Sequence, residues 1–396
     1  MAVVAVVLIA ALLAVGATAS KTVFDRQGQL ATLRSHTEPL ADAAQRIYGA
    51  LSFANTTAAT AFLSGGVEPR DVRERYEAAI GQASAGLVTA SNGVSPNDIN
   101  SLKLLTDISN QLAVYTGIVA VAQTNNRAGS PIGVAYLNES SALMQQGILP
   151  AAERLYASQS SAVTTSGHSV GVSRVVIAMA VLVLVMLLLS QVMLARHSHR
   201  RFNSGLALAS GLMAVLVVWL TVASLVSTHA LTTARTQGGE PMNTAVHARI
   251  LAQQARAEEV LGLLKRGSDS MSDMRFDERT AQIGWLLDEH RVDGAADALH
   301  GWMQSHDEIK NKLAAGDYGG AVAIAQDDAP QDSTAQFTKL DTALRDDITA
   351  LRERQRDGIA DAYTALNLLP FGAAALSVLA ALAVAAGIAP RLSEYH

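Results

Sequence analysis

The stretch 195-ARHSHRRFNSG-205 packs three arginines and two histidines between two runs, Val175 to Ala195 and Gly205 to Val226, that contain no Asp, Glu, Lys or Arg. Taken alone it could serve a nucleic acid, a metal ion or a membrane hairpin, and its flanks decide between them. Each flanking run has about the ~20 residues that an α-helix needs to cross a hydrocarbon core of ~30 Å. Two more uncharged runs, Ala2 to Ala19 and Leu368 to Ala389, have the same length and character. Charged residues make up only 16% of the 396, against roughly 25% in soluble proteins. The deficit sits mainly in these four runs, which predicts an all-α membrane protein with four transmembrane helices.

Working outward, residues 1–19 form the first span. Ala17-Thr18-Ala19 before Ser20 resembles a signal-peptidase site, but no basic segment precedes the run, so it is read as an uncleaved anchor. Cleavage would leave three spans. With Met1 leading straight into the run, a cytosolic N-terminal segment is expected to be missing. A polar segment follows over 20–174, then a span over 175–195, the short basic turn 196–204, a span over 205–226, a second polar segment over 227–367, a span over 368–389 and a tail over 390–396. This order reads as an architectural duplication of one unit, with weak direct identity between the halves. Arg196, Arg200 and Arg201 crowd the short turn and Arg391 follows the last run, so the turn and tail are placed in the cytoplasm and both polar segments outside it.

Both segments read as helical. Val72, Tyr76, Ala79, Ile80, Ala83 and Leu87 recur at helical spacing, as do Leu102, Leu105, Ile108, Leu112, Tyr115, Ile118 and Val119. Breaks at Gly65-Gly66 with Pro69, Asn92-Gly93 with Pro96 and Gly129-Ser130-Pro131 divide the first segment into four helices. Gly267-Ser268, Val292-Asp293-Gly294, Gly316-Asp317 and Pro330 divide the second in the same way. Two extracytoplasmic antiparallel four-helix bundles of the kind found in sensors are the expected architecture. The first segment is nearly neutral and the second is acidic, with fifteen Lys and Arg against twenty-three Asp and Glu over 227–367. Its large aromatics, Trp285, Trp302 and Tyr318, are assigned to its core.

No catalytic, metal or cofactor site is predicted. His300 and His306 lie six residues apart, ~120° out of register on a helix, and arginines surround His197 and His199. Cysteine is absent, so disulfides and thiolate chemistry are excluded. There is no G-x-S-x-G elbow, Walker loop or H-E-x-x-H. The spans hold no ionisable residue, which disfavours a transport pathway. Ser190, Gln191, Trp219 and Thr221 are expected to serve interhelical hydrogen bonding and interfacial anchoring. Net charge is −5, so no nucleic-acid partner is expected. Gly205 and Gly211 leave room for close helix approach in a homodimer.

Three stretches carry a resemblance. The sequence 111-QLAVYTGIVAVAQTNNRAGSPIGVAYLNESSALMQQGILPAAERLY-156, the sequence 313-LAAGDYGGAVAIA-325 and the tail 390-PRLSEYH-396 are similar to the actinobacterial membrane proteins called GlnX. The resemblance implies a non-enzymatic sensor of aspartate or glutamate. In such a system a solute-binding lipoprotein, GlnH, recognises the amino acid outside, and the signal passes to the cytosolic serine/threonine kinase PknG, which controls glutamate metabolism through GarA. On that reading Arg196, His197, Arg200, Arg201 and Arg391 form the inner surface open to a cytosolic partner. Direct capture of a small ligand between helices, an envelope scaffold and a transporter-associated subunit are the alternative readings.

Overall fold

Uncharged residues dictate the first helix, α1 (Ala2–Thr32), which is apolar on every side through its first five turns. A helix of that kind has no polar face to offer water. In the computed structural model, which describes residues 2–63, 67–168, 174–198, 204–265, 270–327 and 329–392, the chain divides into two compact units. One comprises Met1–Arg34, Thr164–Arg235 and Gln355–His396, and the other comprises Ser35–Val163 and Thr236–Arg354.

The first unit gathers α1 with α7 (Arg174–Ser198), α8 (Ser204–Ala234) and α14 (Leu369–Leu392). α1 packs on α14 and α7, and α8 packs on α14 and α7, closing a ring of four. Leu8, Leu12, Val15 and Ala19 of α1 and Leu206, Ala209, Met213, Leu216 and Leu220 of α8 are buried, whereas Val6, Leu13, Leu208 and Val218 point outward. Small residues permit the closeness. A methyl group on Gly205 would collide with the Ala383 carbonyl and the backbone of Gly387, and one on Gly372 would collide with the Trp219 ring. Gly205 is therefore used within the chain, while Gly211 faces open space. Gln191 Nε2 donates to Ser210 Oγ at 2.9 Å, joining α7 to α8. Ser190 and Thr221 return their hydroxyls to the backbone carbonyls of Met186 and Val217.

Among the described residues five helical stretches are long and apolar enough to cross a membrane by length and composition. Four overlap the runs anticipated from the sequence. The fifth, Ile99–Arg127, has the lowest mean hydropathy, 1.2 against 2.1 to 2.9 for the others. Its Leu105, Ile108, Leu112, Tyr115 and Val119 are buried in the protein's own core, so one face of its apolar surface is used in packing.

The second unit contains most of both polar segments. The first segment folds into α2 (Glu38–Leu63), α3 (Arg70–Gly93), α4 (Ile99–Arg127), and α5 (Ile132–Leu143) continued into α6 (Leu149–His168). The second folds into α9 (Glu240–Leu264), α10 (Ser270–Glu289), α11 (Ala295–Ala314) with the short α12 (Tyr318–Gln326), and α13 (Ser333–Leu366). Gly129, Gly294 and Gly316 take positive φ of 68°, 73° and 78° in the turns where glycine or its neighbours marked breaks. Asp98 and Asp317 cap α4 and α12, accepting from Ser101 N and Gly320 N. The break at Gly267-Ser268 lies outside the described residues.

Four rods per segment is the count that the breaks imply. The two segments, however, do not close separate cores. Ala245, Val246, Ile250 and Val260 of α9 and Ile348 of α13 join the same cluster as Ile47, Leu51, Ile108, Tyr115, Ile148 and Leu155, with α2 lying along α9. Each fully buried Leu or Ile there contributes about 1.5–3 kcal/mol, and a segment standing alone would leave part of that surface in water. A second cluster, with Trp302, Phe276, Ile283, Phe337 and Leu340, belongs to the second segment. Trp302 is fully buried as anticipated, but Trp285 is 67% exposed on α10, which corrects its assignment to the core. About two and a half turns of helix from Phe276, position 285 falls on the side opposite the buried stripe that Ile283, Leu286 and Leu287 continue.

Three π-helical turns, Leu33–Thr37, Met144–Ile148 and Arg235–Gly239, were not anticipated. Each is followed directly by a residue and a proline: Glu38-Pro39, Leu149-Pro150 and Glu240-Pro241. A proline inside a helix lacks the N–H for its i−4 bond, and its ring crowds that carbonyl. A widened turn relieves the crowding without ending the helix. The helical path therefore runs unbroken from α1 into α2 and from α8 into α9. The repeated π turn and Glu-Pro at the start of both α2 and α9 align the two halves where direct identity does not.

Candidate functional site

Polar residues spaced along one face of α2, α9 and α13 meet in a seam between the two segments. On α13, Asp341, Arg345 and Arg352 recur at helical spacing, and on α9 Arg249, Gln253 and Arg256 do the same. Arg249 grips Asp341 with two bonds, Nε to Oδ1 at 2.8 Å and an NH2 group to Oδ2 at 3.2 Å. Gln253 donates to Oδ1 at 2.7 Å and Arg345 to Oδ2 at 3.0 Å. Burial pushes the Asp341 carboxyl up, but the Arg249 charge and the hydrogen bonds from Arg249, Arg345 and Gln253 outweigh it and hold it below the usual range.

Further along, Arg352 NH1 of α13 pairs with Asp42 of α2 at 2.7 Å, and Asp42 also pairs with Arg46 at 2.9 Å. The Arg352 Nε lies 3.7 Å from Glu38, the residue directly after the first π turn, and its guanidinium also bonds Gln45. Gln254 donates to the Tyr48 hydroxyl at 3.0 Å, and the Tyr156 hydroxyl donates to Asn243 at 2.7 Å. Burial raises both phenols to about 12, so both remain protonated. The seam thus ties the two helices that begin at π turns, α2 and α9, to α13 through directional bonds. Breaking one partner of such a buried pair costs about 3–5 kcal/mol because the other is left uncompensated.

A second network lies within the second segment. Glu259 of α9 is fully enclosed and accepts from Trp302 Nε1 at 3.2 Å, Ser333 Oγ at 2.7 Å and His306 Nδ1 at 3.2 Å, and it pairs closely with Arg256. Arg256 also donates to Ser333, to Thr334 and to the Ala325 carbonyl in the last turn of α12. His306 stacks on Phe276, with ring centroids 3.7 Å apart. Burial raises the Glu259 carboxyl, but Arg256, His306 and Ser333 together bring it to about 2. His306 is therefore a fixed member of a core, whereas His300 is an exposed residue bonded to Gln304. Among the described residues no group of three His, Cys, Asp or Glu side chains is arranged to hold a metal ion.

The first segment carries a groove of about 490 Å³ between α3 and α4, floored by Ile80, Leu87, Leu105 and Leu112 and flanked by hydroxyls such as Ser84 and Ser109. No ionisable side chain lines it. Its volume falls within the range of small-molecule sites, but a zwitterionic amino acid would find no counter-charge there.

Of the residues singled out from the sequence, Arg196 and His197 fall in the last turn of α7 and Arg391 in the last turn of α14. Their side chains, and Arg200 and Arg201 entirely, lie outside the described residues. The seam and the Glu259 network were not anticipated. A signal was available, because Glu38, Asp42 and Gln45 on α2 and Arg249, Gln253 and Arg256 on α9 place polar groups at i, i+4 and i+7 on faces that are otherwise alanine-rich.

All-helical architecture, long apolar helices and a polar seam across paired bundles describe a helical protein of membrane-like character built to hold helices in a defined relation. Residues 29–168, which run from the end of α1 through α6, match the family described as an actinobacterial sensor domain. The match supports an actinobacterial sensor with a sensing or signalling role. No curated protein and no solved structure matches the chain.

Proposed function

We propose that the protein is a non-enzymatic transmembrane signal transducer. In this reading both polar segments stand outside the cytoplasm, receive an aspartate or glutamate signal through a GlnH-like solute-binding lipoprotein, and relay it inward to a PknG-like serine/threonine kinase. The observation that carries it is that the segment matching a sensor domain begins on a helical path unbroken from apolar α1. Resemblance to GlnX supports the choice of signal and partners. The groove's uncharged lining favours recognition by a separate binding protein over direct capture of an amino acid.

A partner that binds two arrangements of the seam with different affinity shifts their populations by that difference alone. Helix displacements of ~1–2 Å suffice in such transitions. Through α2 and α9 such a displacement reaches α1 and α8, and from there the inner surface that Arg196, His197, Arg200, Arg201 and Arg391 are proposed to form. The test is capture of the purified binding lipoprotein by the full-length chain in detergent, with and without aspartate or glutamate. A several-fold difference is expected. Equal capture in the two conditions overturns the coupled-sensor reading.

A further inference from the structure

We propose that the α3–α4 face of the first segment is a homodimer interface, with a second copy of this chain as its occupant. This goes beyond the signalling reading and does not depend on it. α4 carries no Asp, Glu, Lys or Arg from Ile108 to Asn126, and the chain carries none from Ala78 to Asn97, which covers most of α3. A solvent-facing helix ordinarily places its charges on the outer side. Here the outer side presents Val88, Val114 and Val121, 62%, 55% and 43% exposed, with Ala85, Ala113 and Ala120 between them. Large exposed apolar residues concentrated on one face mark an interaction surface.

Charge and shape select a second copy. A two-fold axis sets each surface against itself, so a charged face would oppose like charges, and this uncharged face opposes none. The corresponding helices of the second segment could not do this. α10 carries Asp273, Arg275, Asp277, Glu278, Arg279, Asp288 and Glu289, and α11 adds Asp307, Glu308, Lys310 and Lys312. In shape, the seam between α3 and α4 is open as a groove, and Val88 and Val114 are exposed on the two helices that border it. The ridge of one copy can enter the groove of the other, joining two helix pairs into a four-helix contact. The uncharged part of α4 is about 28 Å long at 1.5 Å per residue. Two helices at ~10 Å spacing make a face about 20 Å wide. That gives ~560 Å² per copy, or ~1,100 Å² in total, just above the ~1,000 Å² expected of a specific interface.

The natural absence of cysteine makes the test direct. Single substitutions Val114→Cys and Ala113→Cys on this face, and Gln282→Cys on exposed α10 as the control, are made in the full-length chain and oxidised in native membranes. A covalent product of twice the chain mass is expected at positions 113 and 114, at least ten-fold above that at 282. Light scattering of the unmodified protein in detergent should give a dimer, and Val88→Lys with Val114→Lys should convert it to a monomer with unchanged helicity. The proposal is overturned by a monomeric mass for the unmodified protein, by equal cross-linking at position 282, or by adducts whose mass identifies a different protein on this face. Loss of lipoprotein capture with the dimer intact would overturn only the signalling reading.

Discussion

The two polar segments share a helix count and a π-turn entrance, yet they solve the problem of a stable interior differently. The first relies on apolar packing: Leu112, Tyr115, Val119 and Ile148 are buried together, and the Tyr115 hydroxyl is buried without a hydrogen-bond partner among the described residues. The second places a charge at its centre, with Glu259 held by four side chains from three helices. Their surfaces are reversed, uncharged over residues 78–93 of α3 and 108–126 of α4 in the first segment and densely charged over the second's α10 and α11. The contrast teaches that a duplicated architecture leaves each copy free to specialise. An uncharged surface is available for contact, while a charged surface keeps its segment solvated.

Glu259→Gln should produce the largest effect on this comparison. It strips Arg256 of its counter-charge inside the core, and the resulting loss, about 3–5 kcal/mol, should appear as a lowered midpoint in chemical unfolding of the full chain. An unchanged midpoint would mean that the network is not what holds the second segment.

Acid should separate the segments next. The Glu259 carboxyl lies at about 2 rather than its ordinary 4.5, so its stabilisation is fully present above pH ~4.5 and is lost as pH falls from there toward ~2. The total is on the order of 3 kcal/mol. With Trp219→Phe and Trp285→Phe leaving Trp302 as the sole tryptophan, its fluorescence should report unfolding of the second segment across that window.

A smaller effect of opposite sign is expected in the first segment. Tyr115→Phe removes a buried hydroxyl that has no partner among the described residues and should be neutral or stabilising by up to about 1 kcal/mol, read as an equal or higher melting temperature. Destabilisation would show that the hydroxyl is bonded in solution. Least of all, Trp285→Ala should change stability by no more than about 0.5 kcal/mol, in contrast to the about 3–5 kcal/mol expected of Trp302→Ala. Melting of the two variants side by side checks the pair.

Helix positions were largely legible because their signals are local. Gly129, Gly294 and Gly316 mark real turns, and the apolar runs mark real helices. The π turns were legible in principle from Pro39, Pro150 and Pro241, because a proline amid helical periodicity must distort the turn before it. Trp285 was misplaced because residue type says little about which side of a helix a position occupies, whereas its distance from Ile283 along the sequence says more.

By itself, the sequence determined that the chain is helical and carries long apolar helices, since the length of an apolar run and the pitch of a helix are local properties of the chain. Only the tertiary structure decided that the two polar segments share one core. It also decided that Asp42 meets Arg352, Arg249 meets Asp341, and Glu259 is enclosed by Arg256, Trp302, His306 and Ser333. Partners such as Asp42 and Arg352 are hundreds of residues apart in sequence, and nothing local in a charged side chain records which distant one will neutralise it. That choice is made when burial removes water and leaves each charge only the partners that packing brings within reach.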